Sequence, residues 1–166
     1  CSQIAPERGV QPAERQQQAA GAREVKVSID NFSFTPAEVT VAATAVAAKY
    51  LASVDAETIT ICGCGNQGII SLKALMKVRS FKKVYAFDIN EAQVQKFSKE
   101  FDKELEIISI RANELTRSLR QSQVCVTCTP SRQPFIRAGD IMPGTFIAAV
   151  GADSEEKQEL CSDLLA

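Results

Sequence analysis

No other stretch narrows the fold of this chain as far as Thr58 to Gly68, TITICGCGNQG. Its first five residues are short, β-branched and apolar, and read as a buried strand. Gly63, Gly65 and Gly68 then follow in the spacing G-x-G-x-x-G, and a helical pattern runs from Ile69 to Val78. Each glycine has a separate physical task. Gly63 permits a tight turn out of the strand, Gly65 lets backbone approach a pyrophosphate, and Gly68 lets the helix pack closely on the sheet. The start of the helix offers unpaired N–H groups and a positive dipole end to phosphates. A second short strand, VYAF, ends at Asp88, an acidic residue about twenty positions beyond Gly68. Strand, glycine turn, helix and acid in that order predict a dinucleotide site.

The rest of the chain alternates in the same way. Strands are predicted at Thr58–Cys62, Lys83–Phe87, Glu106–Ile110, Val124–Thr127 and Phe146–Val150. Helical patterns fall at Ala42–Ser53, Leu72–Val78, Asn90–Lys103, Asn113–Arg120 and Glu155–Leu165. In the first helix, Val46, Tyr50 and Leu51 are expected to face the sheet. Alternation of this kind predicts an α/β fold: a Rossmann-type, doubly wound parallel sheet of about five strands. A net charge of -1 gives no electrostatic argument for nucleic acid or an anionic membrane. No apolar run is long enough to span a bilayer, so no transmembrane segment is expected. The chain has no histidine, which removes the commonest general base and transition-metal ligand. Catalysis would have to rest on Asp, Glu, Lys, Cys or a cofactor.

Residues 1–23 are polar, contain Gln16-Gln17-Gln18, and are read as a disordered leader. Residues 24–41 alternate, with Val25, Val27 and Ile29 before Thr35-Pro36 and Val39 and Val41 after it, which signals a β-hairpin. The segment VKVSIDNFSFTPAEVTV resembles the opening strands of a cupredoxin. A blue-copper centre of that kind needs histidines, which this chain lacks. A generic edge hairpin is the other reading.

Residues 42–166 resemble the NAD-binding domain of the ornithine cyclodeaminase/μ-crystallin family, which includes ketimine reductases and some alanine dehydrogenases. The resemblance is carried, in family order, by AATAVAAKYLA, ICGCGNQG, VYAFDIN, TCTPSRQPFI, PGTFIAAVGAD and KQEL. It implies NAD as cofactor, held by Gly63, Gly65, Asn66, Gln67 and Gly68 at the pyrophosphate. Asp88 would bind the adenosine ribose hydroxyls and disfavour the 2′-phosphate of NADP. Thr129 would lie towards the nicotinamide ribose, with Ile147, Ala148, Ala149 and Val150 lining the nicotinamide side. Asp153 corresponds to the family's catalytic acid/base, and Lys157 to a cofactor-side lysine. The chemistry implied is hydride transfer between an amine and an imine, on a small amino-acid or imino-acid substrate, with a carboxylate moving the amine proton.

Plainer readings stand beside these. Asp153-Ser154 before Glu155-Glu156 also suits a helix N-cap, and Lys157 a solvated helix lysine. The family's N-terminal domain, which carries the carboxylate-clamping Arg and Lys and much of the dimer, is replaced here by the leader and the hairpin. Thr40 and Val41 stand where family members have Arg-Thr, and the chain ends before the family's last strand and returning helices. The expected domain is thus C-terminally truncated, with an incomplete substrate site. Three readings remain: an enzyme of this family, a dinucleotide-binding module without turnover, and a chimeric fragment. A homodimer is the family's expected assembly.

The six cysteines do not have the pattern of a small secreted domain, so a reducing, cytoplasmic setting is expected. Cys1 also suits a lipid-anchored or exported start, or a fragment boundary. Cys62, Cys64, Cys125 and Cys128 would gather at one sheet edge, where four thiols could hold zinc. Metal at Cys64 would obstruct the phosphate turn, however, and Cys62 and Cys125 read better as small buried apolar residues.

Overall fold

The structure, a computed structural model, describes residues 27–29 and 32–164. The expected leader, Cys1 with its localisation alternatives, and residues 24–26 of the expected hairpin lie outside them. Two short antiparallel strands, β1 (Val27–Ile29) and β2 (Phe32–Phe34), come first. The expected second arm at Val39 and Val41 is instead helix. Helix α1 spans Pro36–Leu51, starting six residues earlier than the sequence pattern suggested. Its start is set by a capping box. The Thr35 hydroxyl accepts from the Glu38 N–H while the Glu38 carboxylate accepts from the Thr35 N–H, with Pro36 in the first turn.

The phase of α1 also differs from expectation. Val41, Thr44 and Ala48 are buried, whereas Val46, Tyr50 and Leu51 are 58%, 74% and 73% exposed. The buried stripe is made of small side chains, which lets α1 lie close against the next helix. Bulky residues there would hold the two helices apart.

Five parallel strands follow: β3 (Thr58–Cys62), β4 (Lys83–Phe87), β5 (Glu106–Ser109), β6 (Val124–Thr127) and β7 (Phe146–Ala149). Helices α2 (Asn66–Leu75), α3 (Glu91–Phe101) and α4 (Leu115–Arg120) connect β3 through β6, and a 3-10 turn at Ala138–Asp140 lies between β6 and β7. The strand order is β5-β4-β3-β6-β7, a doubly wound α/β sheet with β3 at its centre. Side chains alternate across it. Ile59, Ile61, Val84, Val124 and Val126 join one core with Leu72 and Leu75 of α2 and Phe97 of α3. Cys62, Tyr85 and Cys125 join the opposite core with Leu115, Leu119 and Ile136. Ile59, Ile61 and Leu72 are fully buried, each worth about 1.5–3 kcal/mol of transfer free energy.

Of the final helix expected over Glu155–Leu165, the described residues, 155–164, form none. Residues Gln158–Cys161 run beside Ser131–Ile136 instead, through Gln158 N–H to Ser131 O, Phe135 N–H to Glu159 O and Cys161 N–H to Ile136 O. A single 3-10 turn, Ser162–Leu164, follows. Among the described residues no helix is long and apolar enough to cross a membrane.

Candidate functional site

The carboxyl ends of β3, β4 and β6 meet at the glycine turn. Gly63 has φ +97°, a region that L side chains rarely enter, and a Cβ there would stand 2.6 Å from Cys128 O. At Gly68 a Cβ would stand 2.1 Å from Gly63 O, so the turn and the helix close on each other only without one. Gly65 is the opposite case, since nothing lies within 4 Å of its Cβ position. Two glycines are therefore demanded by the protein's own packing, and the third leaves open space. Gly65 is also the N-cap of α2 and supplies no side chain, so Asn66 and Gln67 open a helix whose positive end is uncapped.

Asp88 braces this turn. Its Oδ2 accepts from Cys64 N–H at 2.8 Å and its Oδ1 from Asn90 N–H at 2.9 Å. The sequence pattern marked Asp88 only as a ribose ligand. The bond to Cys64, which joins the end of β4 to the glycine turn, was not legible in it. Each carboxylate oxygen retains capacity for a further donor.

A cleft of about 760 Å³ lies over the turn, lined by Gly63, Gly65 and Asp88 on one side and by Leu115, Thr129 and Phe135 on others. Ile89 also lines it and is almost wholly exposed. A smaller cavity of about 400 Å³ adjoins, with Thr40, Gln67, Val150, Asp153 and Lys157 in its wall. Cys128, Thr129 and Pro130 belong to both linings. The structure thus gathers Gly63, Gly65, Asp88 and Thr129 at one cleft and Gln67, Thr129, Val150, Asp153 and Lys157 at the next. The other three residues of the expected Ile147–Val150 wall are placed differently. Ile147 and Ala148 pack with the two cores and Ala149 is exposed.

Asp153 is exposed and pairs with Lys157, the Lys157 Nζ donating to its Oδ1 at 2.5 Å. That bond holds its carboxyl below the usual range. No helix follows Asp153, so it is not an N-cap, and Lys157 is not a helix lysine. Both sit in the loop after β7.

One residue of the site went unassigned in the sequence. Glu159 is 1% exposed, yet ionisable. Its Oε1 accepts from Thr129 N–H at 2.6 Å and from Thr129 Oγ1 at 2.7 Å. Its Oε2 accepts from Thr127 Oγ1 at 2.7 Å and from Gly151 N–H at 3.0 Å. Beyond its place in the KQEL segment, a Glu in a predicted helix carries no sequence signal for burial; only the failure of that helix brings it inward.

Three of the thiols are held in their neutral form. A hydrogen bond with Cys125, with burial next, pushes the Cys62 thiol well up. Burial, then the Asp88 charge, raises Cys64 to about 12. Burial is also the main cause that raises Cys128 to about 12. Among the described residues no group of three or more His, Cys, Asp or Glu is arranged to hold a metal ion.

Comparison with known proteins agrees with this geometry. An alanine dehydrogenase of Archaeoglobus fulgidus is 35% identical over 140 residues, covering 84% of this chain and 42% of that protein. The solved structure of an archaeal alanine dehydrogenase dimer with bound NAD superimposes with a TM-score of 0.72 at 36% identity, covering 78% of this chain and 39% of that one. The Δ1-pyrroline-2-carboxylate reductase of Thermococcus litoralis, solved with NADH and L-proline, gives a TM-score of 0.72 at 33% identity, covering 78% and 40%. The chain thus spans about two fifths of the length of these relatives. The family match itself runs over residues 25–166 and takes in the segment read as cupredoxin-like. With the glycine turn, the strand order and this match in agreement, the chain belongs to the ornithine cyclodeaminase/mu-crystallin family.

Proposed function

We propose that this chain is the NAD(H)-binding part of an amino-acid or imino-acid oxidoreductase. One observation carries the reading: open space at Gly65, the uncapped start of α2 and the Asp88 carboxylate all face the same cleft. A pyrophosphate fits against Gly65 and the N–H groups of Asn66 and Gln67, where no side chain competes. Asp88 accepts from the ribose hydroxyls while keeping its two backbone bonds, and its charge opposes a 2′-phosphate. Thr129 leads from this cleft into the smaller cavity, where Val150 and Lys157 border the reacting end.

NAD(H), when bound, supplies the hydride chemistry. Asp153 supplies the proton chemistry. Paired with Lys157, its carboxylate is ionised near neutral pH, and so is set to accept the proton that a substrate ammonium must lose before oxidation. In the reductive direction the same oxygen returns it. Lys157 holds the carboxylate in place. Assembly as a homodimer belongs to the same proposal, supported by the dimeric archaeal alanine dehydrogenase, and light scattering checks it.

Calorimetric titration with NAD and NADP tests the cofactor reading, on the wild type and on Asp88→Asn. Asparagine keeps an acceptor for one backbone N–H and removes the charge. Saturable NAD binding, weak NADP binding, and a narrowed difference in Asp88→Asn are expected. A folded wild type that binds neither nucleotide would refute the reading.

A further inference from the structure

We infer that Glu159 is a positioning residue for the reacting end of the bound dinucleotide, an inference that rests on the NAD reading above. Four donors converge on its two oxygens: the Thr127 and Thr129 hydroxyls and the Thr129 and Gly151 N–H groups. Among the described residues no Lys or Arg forms an ion pair with it. Four converging donors suit an ionised, acceptor-only carboxylate, stabilised by hydrogen bonds in place of a counter-ion.

The place of these donors gives the arrangement its meaning. Thr127 ends β6, Thr129 follows it, and Gly151 follows β7. Glu159 therefore ties together the two chain segments that emerge beside the reacting end of the proposed site. Gly151 is fitted to this tie, since a Cβ there would lie 2.4 Å from Thr129 O and 2.5 Å from Glu159 Oε1. Thr129, shared by both cavity linings, is held through its N–H and its hydroxyl at once. Its hydroxyl proton is committed to Glu159, so Thr129 meets a ligand as a fixed acceptor rather than as a rotating hydroxyl. The charge is also felt at the cleft wall, where it adds to the upward shift of the Cys128 thiol. The adenine end, at Asp88 and the glycine turn, makes no bond to Glu159. Its influence should therefore fall on one half of the ligand.

The test compares NAD+ with ADP, which lacks the nicotinamide and the ribose that bears it, by calorimetry on the wild type and Glu159→Gln. The side-chain amide of that variant would present an N–H2 where two donors already point, releasing part of the tie. NAD+ affinity should fall about tenfold or more, with ADP within about twofold of wild type. An equal loss for both ligands would show a general structural role and overturn the inference, as would no loss for either. A wild type that binds neither NAD+ nor ADP would overturn the NAD reading itself, and this inference with it. Thr127→Val provides the same comparison if Glu159→Gln does not fold. Thr127 is wholly buried and lines neither cavity, so its loss acts only through Glu159. A selective loss of NAD+ affinity is again expected, and an unselective or absent one again overturns the inference. Amide exchange should quicken at Thr129 and Gly151 in both variants.

Discussion

The three glycines of the turn look alike in sequence but answer to different physics. Gly68→Ala places a methyl 2.1 Å from Gly63 O, with backbone on both sides of the contact, so the helix must move off the sheet. It should cost about 2–4 kcal/mol in urea unfolding. Gly65→Ala meets open space at an ordinary φ of -73°, so stability should change by less than about 1 kcal/mol while NAD binding is lost. If Gly65→Ala kept full NAD affinity, the pyrophosphate could not lie where proposed. The thiols make a prediction with a definite sign. Cys64 and Cys128 ionise near 12 in the folded chain, against an ordinary value of 9.0. A raised folded value means stability that is complete below the unfolded value and lost as pH rises through the folded one. Urea midpoints should therefore fall between pH about 9 and about 12, and fall less in the Cys64→Ala/Cys128→Ala double variant.

Helix α1 owes its two ends to different kinds of signal. Its start was readable: Thr35-Pro36-x-Glu38 is a capping box with proline in the first turn, and the Val39–Val41 alternation hid it. Its end depends on a distant residue. The Arg79 guanidinium donates to Lys49 O and Ala52 O at 2.8 Å and to Ser53 O at 3.0 Å, meeting the terminal carbonyls that have no helical partner. It also places a cation at the negative end of the helix dipole. Arg79→Ala should therefore cost about 1–3 kcal/mol in thermal or urea unfolding. Arg79→Lys should recover less than half, since one ammonium cannot span three carbonyls. Full recovery by lysine would mean that charge alone is at work. The contrast explains what was legible. Strands β3 to β7 and the glycine turn rest on local pattern, and the sequence reading placed them within about two residues. The phase of α1, the fate of residues 155–164 and the burial of Glu159 rest on long-range pairing, which local pattern does not carry.

Taken whole, the molecule divides its proposed work unevenly between the two adjoining cavities that share Thr129. The larger cleft has the parts a dinucleotide needs: a glycine turn, an uncapped helix start, an acid at the strand end and apolar side chains such as Leu115 and Phe135. The smaller cavity has Asp153, the proposed proton carrier, but Lys157 is the single cation in its described lining, and that charge is paired with Asp153. An α-amino acid brings a carboxylate as well as an amine. With Lys157 engaged, and Thr40 spending its hydroxyl on Pro36 O, the cavity offers that carboxylate no free charge. Residues 1–166 alone should then bind NAD without oxidising L-alanine or L-proline, so that NADH absorbance stays flat at saturating NAD. Adding either amino acid should leave the calorimetric NAD affinity within about twofold, since a site that cannot hold the acid cannot couple its binding to the cofactor. Steady NADH production that disappears in Asp153→Asn would overturn this, because it would place a working carboxylate clamp inside these residues. A flat trace beside tight NAD binding would locate that clamp outside them, and assign to this chain the cofactor and the proton but not the substrate.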